Sequence, residues 1–178
     1  MKAQHGLTLI ELLIVVAVAT LLCTVAVPAL SGGLEAARGA HARAALVASL
    51  ATASNRAALT GTRGVLCPSA DGRQCADTED WSGGWLVFLD GNASRELDAG
   101  ESVLRLQPAL AGKVRLRSTV GRTRIVFQGN GGNAGSNVTF TLCDGRGPAK
   151  ARALILSNTG NLRDGAATPD NLSATCAH

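Results

Sequence analysis

The residues placed to do chemistry are few, and the first of them stand together. Gly6, Leu7 and Glu11 lie at the head of an apolar run that continues to Leu30 with Glu11 as its only charged group. An acidic side chain inside such a run costs roughly 2.5 to 3.5 kcal/mol on insertion scales, so it either has a partner, snorkels to the interface or stays protonated. A cut after Gly6 would supply a partner: the new α-amine of Leu7 is a cation at the right depth, in the same subunit or in a neighbour within an assembly. The run from Leu7 to Leu30 is long enough to cross a bilayer, since about 20 apolar residues cover the hydrocarbon core. A secretory signal has a shorter apolar core, roughly 7 to 15 residues, with its cleavage site after that core. Here the processing signal stands before it. Lys2 and His5 precede the run, which keeps the amino terminus cytoplasmic and sends the rest of the chain across the inner membrane.

Other reactive residues are sparse. Of the three histidines, His5 lies in the leader, His41 follows the apolar run and His178 is the last residue. No nucleophile elbow, HExxH or phosphate loop is present, so the sequence reads as non-enzymatic, with no cofactor. Cys23 sits in the apolar run as a small apolar side chain. Cys67, Cys75, Cys143 and Cys176 lie beyond the membrane, where an oxidising compartment favours disulfides. Four cysteines allow three pairings. The expected one joins Cys67 to Cys75 across a short loop, and Cys143 to Cys176, tying down a tail poor in apolar residues. Their spacing does not suit zinc, and no metal site is expected. The acidic stretch Asp71 to Glu101 reads as a solvated loop rather than a calcium site.

The next stretch reverses sign. Between Glu101 and Asp144 there is no acidic residue, while Arg105, Lys113, Arg115, Arg117, Arg122 and Arg124 all fall there. On a strand, Lys113, Arg115 and Arg117 share one face. A turn at Thr119 to Gly121 would set Arg122 and Arg124 across from them in a hairpin. Five like charges on one face repel unless water or an anion screens them. Such a ridge is either a solvated outer face or a phosphate-tracking surface for extracellular DNA.

These residues need elements to position them. The chain of 178 residues, less a leader and a membrane helix, leaves one modest domain, and its 21 glycines, 3% aromatic content and lack of tyrosine suggest a β-rich one. A net charge of +4 is too small to name a partner. From Ser31 to Thr60 the spacing is helical, with Leu34, Ala37, Ala44, Val47, Leu50 and Ala57 on one stripe and Arg38, His41, Arg43 and Arg56 mainly off it. Beyond Gly61 the period becomes two, with strands expected at 64–67, 85–90, 103–106, 113–118, 123–128, 137–143, 151–157 and 161–163. No later segment is long enough for helical crossovers, so the sheet should be antiparallel. The fold class is therefore α+β: a long N-terminal helix, membrane-spanning in its first half, packed against an antiparallel β-sheet domain. The divisions are a leader at 1–6, a transmembrane half-helix at 7–30, a periplasmic stem at 31–60 and a globular domain at 61–178.

The string Gly6-Leu7-Thr8-Leu9-Ile10-Glu11-Leu12-Leu13 resembles the leader and N-terminal helix of type IV pilins and type II secretion pseudopilins, with Leu7 where Phe is usual. That resemblance implies that a prepilin peptidase cuts between Gly6 and Leu7 and methylates the Leu7 amine. It also implies that Glu11 docks the subunit among other pilins or pseudopilins, and places Pro28 where these helices commonly carry a proline. Farther on, Gly84-Trp85-Leu86-Val87-Phe88-Leu89-Asp90 and Leu154-Ile155-Leu156-Ser157-Asn158-Thr159-Gly160 are similar to the GspH/FimT family of minor pilins and pseudopilins. The implied role is a subunit near the tip of a type II secretion pseudopilus or a type IV pilus. FimT-like pilins linked to DNA uptake tend to carry a GRxR motif near the C-terminus. Here that place holds Gly160-Asn161-Leu162-Arg163, and the literal string occurs instead as Gly121-Arg122-Thr123-Arg124.

Overall fold

A computed structural model describes residues 8–130, 132–133 and 137–177, with Val25 and Pro28 described as backbone only. The chain divides into two compact units, one ending at Leu34 and the other running from Glu35. Helix α1, Leu9–Thr60, contributes to both. In the first unit its apolar side chains, among them Leu9, Ile10, Leu13, Val16, Leu21 and Leu30, are exposed. It is the one helix, among the described residues, long and apolar enough to cross a membrane.

In the second unit α1 lays one face against a β domain. The buried positions are Gly39, Ala42, Ala45, Leu46, Ser49, Leu50, Ala53 and Ala57. Three- and four-residue steps keep them on a single stripe. This stripe is rotated from the expected one: Leu50 and Ala57 belong to it and Val47 is half-buried, but Leu34, Ala37 and Ala44 are exposed. In an alanine-rich helix many faces look alike, and close approach rather than apolarity selects among them. A Cβ on Gly39 would meet Asp144 Oδ2 at 2.8 Å, so the glycine admits that carboxylate. The helix ends at Gly61, which has a φ of 68° and donates its N–H to Ala57.

Eight strands follow: β1 Arg63–Pro68, β2 Trp85–Asp90, β3 Val103–Gln107, β4 Arg115–Ser118, β5 Ile125–Phe127, β6 Val138–Cys143, β7 Arg152–Leu156 and β8 Leu162–Gly165. Every pairing is antiparallel. They form two four-stranded sheets, β3-β2-β1-β5 and β4-β6-β7-β8. In the first, β1, β2 and β5 are buried on both faces and β3 forms a more exposed edge. Leu66, Trp85, Val87, Ile125 and Phe127 join the core with α1, while Val65, Cys67, Leu86, Phe88 and Val126 lie under loops that bring Cys75 and Leu97. The covered strands accordingly carry continuous apolar runs, such as Ile125-Val126-Phe127. The second alternates, with Leu116, Val138, Phe140, Leu142, Leu154 and Leu156 in the core.

Two tryptophans pin the layers together. Trp85 Nε1 donates to Ser49 Oγ on α1 at 2.9 Å, and that hydroxyl donates to the Ala45 carbonyl at 2.9 Å. Trp81 Nε1 donates to Ser118 Oγ at 3.0 Å, and its ring meets Phe140 edge-on at 5.2 Å. Both are completely buried.

The expected hairpin does not form. Strand β4 pairs with β6, and β5 pairs with β1, so Thr119 to Arg124 crosses from one sheet to the other. The physical reason is that all three β5 residues are buried, and a strand covered on both faces has no place at the rim of the second sheet. The tail also departs from expectation. It carries a short helix, α2 Pro169–Cys176, whose N-cap Thr168 accepts the Asn171 N–H with Pro169 in the first turn. Helix α2 rests on β6 and β4.

Candidate functional site

The site begins at the amino end of α1. Thr8 Oγ1 accepts the Glu11 backbone N–H at 3.4 Å. Thr8-Leu9-Ile10-Glu11 is a T-x-x-E sequence, which combines a capping hydroxyl with a carboxylate in the first helical turn. That local reading of Glu11 is legible in the sequence and is compatible with the docking role that the resemblance implies. Gly6 and Leu7 lie outside the described residues, as do the rest of the leader and His178.

Cys67, Cys75, Cys143 and Cys176 form two disulfides. Cys67–Cys75 has its Cα atoms 5.5 Å apart and links β1 to the loop over the first sheet's outer face. Cys143–Cys176 has its Cα atoms 5.6 Å apart and fastens α2 to the end of β6. Cys23 is free and exposed on α1. Among the described residues, no three His, Cys, Asp or Glu side chains converge to hold a metal ion.

The acidic stretch is more structured than a solvated loop. Asp90 is buried and accepts the Ser94 and Arg95 N–H groups at 3.1 Å each. The backbone N–H of Arg73 holds the Asp71 carboxyl below its ordinary range. Asp98 is lowered in turn by the Ser94 hydroxyl and the Asn92 amide. These carboxylates serve as local caps of a turn-rich segment.

The six candidate basic residues are distributed over two places. Arg124 is largely spent on the acidic stretch: its guanidinium donates to the Arg95 carbonyl at 3.1 Å and to Asp77 at 3.2 Å, and pairs closely with Glu96. Arg117 stands 3.9 Å from Glu79, whose carboxyl the Gly121 N–H holds low. Arg122 is half-buried in the crossing segment. A five-residue ridge of Lys113, Arg115, Arg117, Arg122 and Arg124 is therefore absent, because its last two members leave the sheet with the crossing.

A different grouping replaces it. Leu116 and Leu162 face the core, so Arg115, Arg117 and Arg163 point the other way. Register puts Arg117 opposite Thr141, Thr141 opposite Ala153, and Arg163 opposite Ile155 on adjoining rungs. The arginine retained from the C-terminal motif and two from the earlier cluster thus share the outer face of the second sheet, which α2 partly covers over β6 and β4. Strand spacing of about 4.8 Å puts its two edges roughly 14 Å apart.

Comparisons with known proteins agree with this architecture. A type IV minor pilin of Pseudomonas aeruginosa PAO1, FimU, is similar in structure with a TM-score of 0.56 at 18% identity, over 76% of this chain and 91% of that one. The minor pseudopilin EpsH of the Vibrio cholerae type 2 secretion system is similar with a TM-score of 0.51 at 14% identity, over 72% and 97%. At these identities the likeness is one of fold. No curated protein matches the chain. The prokaryotic N-terminal methylation motif matches residues 1–27, over the Gly6-to-Glu11 signal. The model for type II transport protein GspH matches residues 42–160, which is more than half of the chain. The chain therefore belongs to the GspH family, as a structural subunit of the pilus or pseudopilus kind and not an enzyme.

Proposed function

We propose that this protein is a minor pseudopilin or pilin that assembles near the tip of a type II secretion pseudopilus or a type IV pilus. The observation that carries this reading is an exposed apolar run to Leu30 with Glu11 as its single acidic residue, joined to a domain of the GspH family. In this reading residues 1–6 are a leader removed by the prepilin peptidase, and residues 7–30 anchor the subunit in the inner membrane, amino end inward. Residues 31–60 form a periplasmic stem and 61–178 the globular domain. Glu11 meets a methylated Leu7 amine within the fibre. Intact mass of the subunit from sheared fibres should show loss of Met1 to Gly6 plus one methyl, and Glu11→Ala should insert yet be depleted from those fibres. A mature chain retaining Lys2, or undiminished incorporation of Glu11→Ala, contradicts the corresponding step.

A second reading adds DNA binding, favoured by Arg115, Arg117 and Arg163 on one sheet face. Full-length protein in detergent should bind duplex DNA weakly and without sequence preference. Replacing Arg115 and Arg163 together with Gln should lower the log-log salt slope by roughly 0.9 for each phosphate that is no longer neutralised, while leaving the fold intact, because exposed charges contribute little to stability. No aromatic is interleaved to stack bases, so binding rests on charge alone. Absence of binding at low salt eliminates this reading and leaves the first untouched.

A further inference from the structure

We propose that a pocket walled by Arg43, Arg146 and Arg152 is a phosphate-group site that takes the headgroup of an anionic phospholipid. The proposal rests on the membrane-anchored reading above. The pocket has a volume of about 240 Å³, and Ala36, Gly39 and Asp144 also line it. That is below the roughly 300 Å³ at which pockets for drug-sized ligands begin, and suits a headgroup fragment.

The charges select the ligand. Asp144 is buried and already spent: Arg146 donates to its two oxygens through Nε at 2.9 Å and Nη2 at 2.7 Å, and through its backbone N–H at 3.0 Å. The side-chain bond from Arg146 keeps the Asp144 carboxyl below the ordinary aspartate range. Arg43 reaches both oxygens of the exposed Asp164 at 2.9 Å. Arg152, the first residue of β7, is exposed, and its guanidinium makes no hydrogen bond among the described residues. Three guanidinium groups against two carboxylates leave one positive charge, which is what a phosphodiester with a single negative charge balances. Guanidinium forks match the paired oxygens of a phosphate in geometry as well as in charge.

The source of the phosphate follows from the chain. Ala36 comes six residues after Leu30, where the apolar run ends, and six residues reach at most about 20 Å even when fully extended. Headgroup layers add roughly 5 to 8 Å to each side of the hydrocarbon core, so an anchored subunit holds Ala36 no more than about 15 Å beyond them.

The test uses the full-length chain reconstituted in phosphatidylcholine vesicles, with and without phosphatidylglycerol. Amide hydrogen exchange over residues 36–43 and 144–152 should slow when phosphatidylglycerol is present. Arg152→Gln should weaken that response roughly fivefold, as for one basic residue near an anionic surface. Arg56→Gln, exposed on α1 outside the pocket, should not change it. Equal exchange in the two lipids, or a full response in Arg152→Gln, overturns the site. Inorganic phosphate that slows exchange equally in phosphatidylcholine vesicles overturns the lipid source. Failure to float with either vesicle overturns the anchored reading and this proposal together, whereas flotation without lipid dependence sinks the pocket alone.

Discussion

Trp85→Ala is expected to destabilise the domain by about 3 to 5 kcal/mol, the range for emptying a buried tryptophan site. Trp85 is completely buried on β2, and its indole is joined by Ser49 to the helix. Truncation therefore removes core area and also the donor that Ser49 Oγ accepts, at a helix position with no access to water. Such a loss is a large fraction of the roughly 5 to 15 kcal/mol that holds a domain folded. Trp85→Phe separates the two contributions, because it keeps most of the apolar area and should cost about 1 to 3 kcal/mol. Urea unfolding of both variants measures this directly. A midpoint for Trp85→Ala within error of the parent would mean that helix and sheet are not held together at this residue.

Changing Cys143 and Cys176 together to serine is the second large effect expected. The 33-residue separation of this pair implies about 3 to 4 kcal/mol from the chain-entropy relation. The eight-residue separation of Cys67 and Cys75 implies about 2.5 kcal/mol. The double change should also release α2 locally. An eight-residue helix is well below the roughly 12 to 15 residues that an isolated helix needs, and only Thr175 and Cys176 in it are buried. Denaturant midpoints and hydrogen exchange over residues 169–176 report the two consequences separately. If α2 stays protected after the bond is removed, the helix is held by its packing on β6 and β4, and the disulfide is an accessory.

The strands are legible in the sequence because each has a two-residue period or a short apolar run between Gly and Asp clusters; Trp85–Asp90 coincides with its expectation to the residue. Partnership is not legible. Thr119 to Gly121 has the composition of a hairpin turn, but which sheet receives Ile125-Val126-Phe127 depends on Leu66 and Val65 some sixty residues earlier. Local chemistry proposes the turn and distant burial overrides it. The buried face of α1 differs from its expectation for a related reason: alanine carries too little apolar contrast to mark a stripe, whereas Gly39 marks it by what it admits. Helix α2 escapes a reading by periodicity because its apolar content is low, although Thr168-Pro169 is a start signal that reveals it. In the candidate site the cysteine pairs are readable, because Cys67 and Cys75 flank a short loop and the apolar-poor tail that carries Cys176 needs an anchor. The grouping of Arg163 with Arg115 and Arg117 needs the register of four strands.

The crossing between β4 and β5 has a consequence for the order in which the protein is made. The first sheet needs nothing beyond Phe127, whereas the second stays open until β8 ends at Gly165. Synthesis delivers the chain amino end first, so Cys67 and Cys75 can bond, and β5 can bury Cys67, while Cys143 still has no partner to meet. By the time Cys176 arrives, every strand that covers Cys67 in the first sheet has already been made. The topology thus sorts four thiols by arrival time, leaving the correct pairing as the one that the ribosome's own direction makes easiest.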